Sequence, residues 1–226
     1  MEQRLAGKRV LVTQSNDFMG PVTVELFREH GADIFTDESI PASDAAAEAI
    51  VAGVGQIDVL VINYAADPIG GKLAQELTDD LWAGPFDGMV HPMHRMVRAV
   101  LPQMYKRKAG KIVVYGSATG LKGSKGVGAY SAARAAQVGY VNAVGLEAAP
   151  HNVQINLIAQ NFVENPAYYP PEVTETERFQ NFMKKTVPLG RLAKPREDAL
   201  FALFLASNES DFFVGQAVPF SGGWAQ

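Results

Sequence analysis

Short runs rich in β-branched residues alternate with longer segments of helical periodicity along most of the chain. The runs at 9–13, 33–36, 58–63, 111–115, 154–158 and 216–220 have the length of strands, Val59-Leu60-Val61-Ile62 among them. Between them the pattern predicts helices over 21–30, 43–52 and 79–108. Gly31, Gly53 and Gly110 are expected to close these helices, because glycine accepts the left-handed backbone that ends one. Strand and helix in alternation predict an α/β protein with a parallel sheet covered on both faces. No repeat, low-complexity block or Gly/Ser/Pro linker divides the chain, so residues 1–226 are expected to form a single domain. The longest stretch without pattern, 160–177, follows a strand. In an open α/β sheet ligands bind beyond the carboxyl ends of strands, so this stretch is a candidate pocket wall.

Composition narrows the classes of function. With 47% hydrophobic and 19% charged residues the chain reads as an ordinary globular protein. A formal charge of −4 leaves no cationic excess for a phosphate backbone, and nucleic acid is not an expected partner. The basic cluster Lys106-Arg107-Lys108 is expected to be a solvated helix end. The absence of cysteine excludes disulfides, thiolate metal sites and cysteine nucleophiles. Residues 1–9 are polar and no apolar run reaches membrane-spanning length, so a soluble, cytoplasmic protein without membrane contact is expected. Asn208-Glu209-Ser210 matches a glycosylation triplet that has no meaning in such a protein.

The candidate chemistry follows the fourth run. Ser117 lies just after it, Tyr130 stands thirteen residues later, and Arg134 is one helical turn beyond Tyr130, so the last two can share a helix face. Each also has a plain structural explanation: serine ends strands, tyrosine packs at helix starts, and arginine at i+4 is often solvated. His91 and His94 can face one metal from a helix, but no third ligand is identifiable and a packing role is preferred. Asp37 and Glu38, near the end of the second strand, occupy the region where dinucleotide enzymes place a ribose-binding acid, and are read as turn residues.

The order of elements, the 57–61 strand, the Ser117–Tyr130 pair and the terminal Ser221-Gly222-Gly223-Trp224 resemble the short-chain dehydrogenase/reductase superfamily over nearly the whole chain. That resemblance implies a single Rossmann-like doubly wound sheet. Yet Arg134 replaces the family's lysine, and Thr13-Gln14-Ser15-Asn16-Asp17-Phe18-Met19-Gly20 keeps one of the three glycines of the phosphate-binding loop. Glycine is needed there because a pyrophosphate approaches the backbone closely, and Phe18 would occupy cofactor space. Alignment through Trp82 and 98–102 puts Met89 at the family's catalytic asparagine, and Gln160-Asn161 replaces its Pro-Gly pair.

These departures are similar to those of the halohydrin dehalogenases, which carry Ser-x12-Tyr-x3-Arg with Thr-x4-Phe/Tyr-x-Gly. Both motifs are complete in Ser117, Tyr130 and Arg134 and in Thr13, Phe18 and Gly20. The resemblance implies a carbon–halogen lyase that converts vicinal haloalcohols to epoxides without a nicotinamide cofactor or a metal. Tyr130 would act as base, Ser117 would bind the substrate oxygen, and Arg134 would favour phenolate over phenol, since an unassisted tyrosine is a poor base at neutral pH. The released halide would sit near Phe18, Gln160, Asn161, Phe162 and Val163, facing backbone N–H groups, with Tyr169 as a further aromatic wall. In reverse, halide, azide, cyanide or nitrite would open epoxides. A homotetramer packed through the 79–108 helix and the helix beginning near Tyr130 is also implied. Two rivals remain: a nicotinamide-dependent oxidoreductase with an unusual loop, and a degenerate scaffold that only binds. Pocket width depends on the loops at 68–72, 118–128 and 161–171.

Overall fold

The computed structural model describes residues 3–67 and 70–226; Pro68, in the 68–72 loop singled out above, lies outside them. Strands β1 (Arg9–Thr13), β2 (Asp33–Asp37), β3 (Val59–Ile62), β4 (Gly110–Tyr115), β5 (Val153–Gln160) and β6 (Ala217–Phe220) form one parallel sheet in the order β2-β1-β3-β4-β5-β6. Side chains alternate across each strand, so the sheet is buried on both faces. Leu11, Leu60, Ile62, Ile112, Val114, Ile155 and Leu157 make one core. Val10, Val12, Val59, Val61, Val113, Tyr115 and Ile158 make the other. This is a Rossmann-like α/β fold: the alternation of strand and helix predicts the covered parallel sheet, and the family resemblance implies its Rossmann-like form. The strand order reverses direction between β1 and β3, which opens a crevice at their carboxyl ends.

In chain order the helices are α1 (Gly20–Glu29), α2 (Asp44–Val54), α3 (Asp79–Pro85), α4 (His91–Arg107), α5 (Thr119–Lys122), α6 (Gly128–Ala148), α7 (Pro171–Thr174), α8 (Glu177–Thr186) and α9 (Pro195–Ala206). Two helix ends differ from expectation. Gly53 is inside α2, which runs on to Val54 and is closed by Gly55 at φ 80°. Lys108, at φ 51°, closes α4, while Gly110 already belongs to β4. Gly110 serves close packing instead, because a Cβ there would lie 2.4 Å from Met104 Sδ. The segment 79–108 is helical as predicted but contains a π-turn at Phe86–Val90 between α3 and α4. No helix among the described residues is long and apolar enough to cross a membrane.

Asp198, in the first turn of α9, is 0% exposed inside the α1–α9 core, and neither carboxyl oxygen has a hydrogen-bond partner. Burial pushes its carboxyl well above the usual range. The native side chain therefore stays protonated while the unfolded one ionises above its ordinary value, so stability falls as pH rises from that value towards the native one. Asp198→Leu is expected to raise stability by about 1–3 kcal/mol at neutral pH, or roughly 2–4 °C of Tm per kcal/mol for a chain of this size. Thermal melts should show a larger gain in mildly alkaline than in acidic buffer. A lowered Tm, or a gain independent of pH, would refute this account.

Candidate active site

The crevice at the carboxyl ends of the strands holds a cavity of about 470 Å³. The loops after β1, β4, β5 and the short helix α5 form it, together with the start of α6, with Phe182 and Thr186 of α8 and with Trp224 after β6. Ser117, one residue past Gly116 at the end of β4, and Tyr130, in the first turn of α6, both line it. Gly120 lets α5 lie directly on α6: a Cβ at this position would stand 2.7 Å from the backbone carbon of Arg134. That close approach sets the Ser117 segment against the helix carrying Tyr130. Ser117 is buried, its Oγ is 2.9 Å from Thr119 Oγ1, and it accepts the Thr119 N–H at 3.2 Å.

Arg134 is not in the cavity wall. It lies behind Tyr130, 4% exposed, with its guanidinium carbon 5.1 Å from the centre of the tyrosine ring. Its Nη1 donates to Tyr115 O (3.1 Å), Tyr64 O (3.4 Å) and Gln137 Oε1 (2.9 Å). All three acceptors are neutral, and no ion pair to Arg134 forms among the described residues. A buried guanidinium without a carboxylate partner keeps its charge for the groups around it: the Tyr130 ring packs against it, and the Tyr168 phenol also feels it.

The remaining sequence-predicted residues converge on the same cavity: Phe18, Gln160, Asn161, Phe162, Val163 and Tyr169 all line it. Phe18 and Phe162 take left-handed backbone, φ 49° and 59°. Such a conformation is costly for a bulky residue and sits where surrounding structure imposes it. Phe162 is ringed by Tyr169, Phe182 and Trp224 at 6.5, 6.2 and 5.8 Å between centroids. Gln160 ends β5, and its buried side-chain Oε1 is unpartnered. The expectation of free backbone amides in this loop needs correction at two positions. Asn161 N–H donates to Phe220 O (3.0 Å), which continues the β5–β6 pairing, and Phe162 N–H donates to its neighbour's Asn161 Oδ1 (3.0 Å).

Tyr168 was not singled out by sequence reasoning. It stacks on Phe18 with centroids 5.5 Å apart and donates its phenol to Ala66 O at 3.3 Å, spanning the crevice. Its signal in the sequence is membership of the unpatterned stretch 160–177. Burial pushes the Tyr169 phenol up to about 12 and that of Tyr168 higher, with the neighbouring Tyr130 adding to both. Glu38 is more than a turn residue. Its carboxylate accepts from Ser15 Oγ and from the Asn16 N–H (3.1 Å) in the loop after β1. Asp37 accepts from Ser39 N–H at 2.9 Å. His91 and His94 part company: His91 faces Asp87 at 3.7 Å and His94 meets Tyr140 Oη at 3.2 Å.

Fold and site together define an α/β enzyme scaffold with a Ser-Tyr-Arg constellation at the carboxyl edge of its sheet. The chain belongs to the short-chain dehydrogenase/reductase superfamily, a family of enzymes; a family model described as enoyl-(acyl carrier protein) reductase matches residues 5–225. It is 29% identical over 256 residues to the 3-oxoacyl-[acyl-carrier-protein] reductase FabG of Chlamydia muridarum, covering 100% of both chains. A solved structure titled "Dehalogenation enzyme" superposes with a TM-score of 0.88 at 28% identity, covering 98% of this chain and 100% of that one. The L-sorbose reductase of Gluconobacter frateurii, solved with NADPH and L-sorbose, shares the fold with a TM-score of 0.89 at 22% identity over 100% of this chain and 99% of that one.

Proposed function

We propose that this protein is a halohydrin dehalogenase, a carbon–halogen lyase that closes vicinal haloalcohols to epoxides. The observation that carries the reading is the state of the loop after β1. In a reductase this loop offers N–H groups and bare glycine backbone to a pyrophosphate. Here the Asn16 N–H and the Ser15 hydroxyl are already bound to the Glu38 carboxylate, whose charge repels a phosphate. Phe18 fills the mouth of the loop and packs on Tyr168. These residues do not fit a dinucleotide, and no step of the reaction is routed through one. The resemblance to a structure titled as a dehalogenation enzyme supports the same reading.

The chemistry is redox-neutral. Ser117 donates a hydrogen bond to the substrate oxygen and Tyr130 takes the hydroxyl proton. The oxygen forms a bond to the adjacent carbon as the carbon–halogen bond breaks, and halide leaves with the electron pair. Charge develops on the halide within the Phe18, Gln160, Asn161, Phe162, Val163 and Tyr169 portion of the cavity, whose walls are largely aromatic. In reverse, a small anion such as halide, azide, cyanide or nitrite attacks an epoxide carbon and Tyr130 protonates the alkoxide. Assembly as a homotetramer through the 79–108 segment and α6 belongs to this reading.

The test is halide and proton release from 1,3-dichloro-2-propanol with no nicotinamide present. Equimolar release of both is expected. Absence of release would overturn the lyase reading. The match to reductase relatives favours one alternative, a nicotinamide-dependent oxidoreductase, which requires saturable NADH or NADPH binding in a fluorescence titration.

A further inference from the structure

Arg134 owes its place to another side chain of α6. Gln137 is 0% exposed and stands one turn beyond Arg134, so Tyr130, Arg134 and Gln137 form a single stripe along the helix. It is not among the residues of the cavity wall. Its Oε1 accepts from Arg134 Nη1 at 2.9 Å, and its Nε2 donates to Met89 O at 3.3 Å. The orientation of the amide is dictated by its neighbours, since a guanidinium only donates and a carbonyl only accepts. Met89 lies within the π-turn Phe86–Val90, whose wider winding breaks the regular helical ladder, and its carbonyl takes this side-chain donor.

The residue type matters as much as the position. A carboxylate here would neutralise Arg134, and an apolar side chain would leave both the guanidinium and the Met89 carbonyl short of a partner. An amide of this length does neither. We propose that Gln137 is a positioning residue of the site, whose amide clamps the Arg134 guanidinium beside Tyr130 without neutralising it and fastens it to the π-turn carbonyl of Met89. Its consequence for the rate rests on the lyase reading; the clamp itself does not.

Several groups bear on Tyr130. Arg134 approaches from its own helix, Tyr168 and Tyr169 come from the loop after β5, and Ser117 and Thr119 lie at the end of β4. Glu164 is the carboxylate on the cavity wall, Asp67 acts on Tyr168, and Lys122 is on α5, the helix laid against α6. Substitution of Gln137 leaves every one of these in place except the guanidinium it holds.

The test uses Gln137→Glu and Gln137→Met, each with two readouts: the pH–rate profile on a haloalcohol, and tyrosinate difference absorption with Tyr130→Phe as blank. In Gln137→Glu the new carboxylate ionises against Arg134 and cancels its charge. The acid limb of the rate profile and the tyrosinate signal of Tyr130 should then both move to higher pH by about one unit, with KM within about twofold. Gln137→Met, which keeps the volume but loses both hydrogen bonds, should lose about tenfold in kcat with KM unchanged. A merely structural role would lower the active fraction without moving the profile. An unmoved profile and tyrosinate signal in Gln137→Glu, or an unchanged kcat in Gln137→Met, would overturn the clamp. If the wild type releases no halide while the tyrosinate signal still shifts in Gln137→Glu, the lyase reading falls and the clamp stands.

Discussion

Tyr130→Phe is expected to abolish halide release, lowering kcat by about three orders of magnitude, within the range general-base removal spans, while leaving the fold intact. The substitution removes one oxygen and keeps the ring that packs over Arg134. Two further phenols line the same cavity, and they make the prediction sharp. Burial, the largest cause for both, holds Tyr168 and Tyr169 protonated even once the Tyr130 phenol is gone and outweighs the pull of Arg134 on Tyr168, so neither takes over as base. Tyr168 is also engaged with the Ala66 carbonyl. Tyr169→Phe should therefore retain activity within about tenfold, because it loses only a wall contact. Halide and proton release measured side by side on the two variants checks the contrast. Equal losses in both would mean that the cavity, rather than the Tyr130 proton, limits the reaction.

The same comparison shows which features of the site were open to sequence reasoning. Ser117 and Tyr130 stand out by their spacing after β4 and Phe18 by its place after β1, which runs over 9–13 as its pattern predicts, but it is the motif resemblance that singles all three out, and all three line the cavity. The π-turn was not legible. One extra residue per turn over Phe86–Val90 shifts a helical pattern too little to be seen within a 30-residue run, yet it brings the Met89 carbonyl to Gln137. Gln137 itself sits in an alanine-rich stretch, where a lone amide looks like a surface position. Asp198 is hidden for a related reason: an acid in the first turn of a helix normally faces solvent near the positive end of the dipole, and only the docking of α9 on α1 buries it. Glu38 reaches Ser15 and Asn16 across 23 and 22 residues of sequence, a contact set by the pairing of β1 with β2 and by no local spacing.

Arg134→Gln should cost on the order of a hundredfold in kcat. The guanidinium packs against the Tyr130 ring, and losing an opposite charge this close to a group that must carry negative charge in the reaction costs on the order of two decades in rate. The charge is undiluted here because the acceptors around the guanidinium are two backbone carbonyls and one amide. Glutamine is the informative replacement, since it can still donate to the Tyr115 carbonyl, whereas an apolar residue would leave buried acceptors unpaired and confuse lost catalysis with lost stability. Arg134→Lys retains a cation but on a differently shaped head that does not place a donor where Nη1 makes all three bonds, so it should fall between wild type and Arg134→Gln. The order expected for kcat is Arg above Lys above Gln, with the acid limb of the pH–rate profile moving to higher pH in the same order. Should Arg134→Gln keep kcat within about threefold of wild type, the guanidinium would be a packing element of α6 and the charge on Tyr130 would need another source.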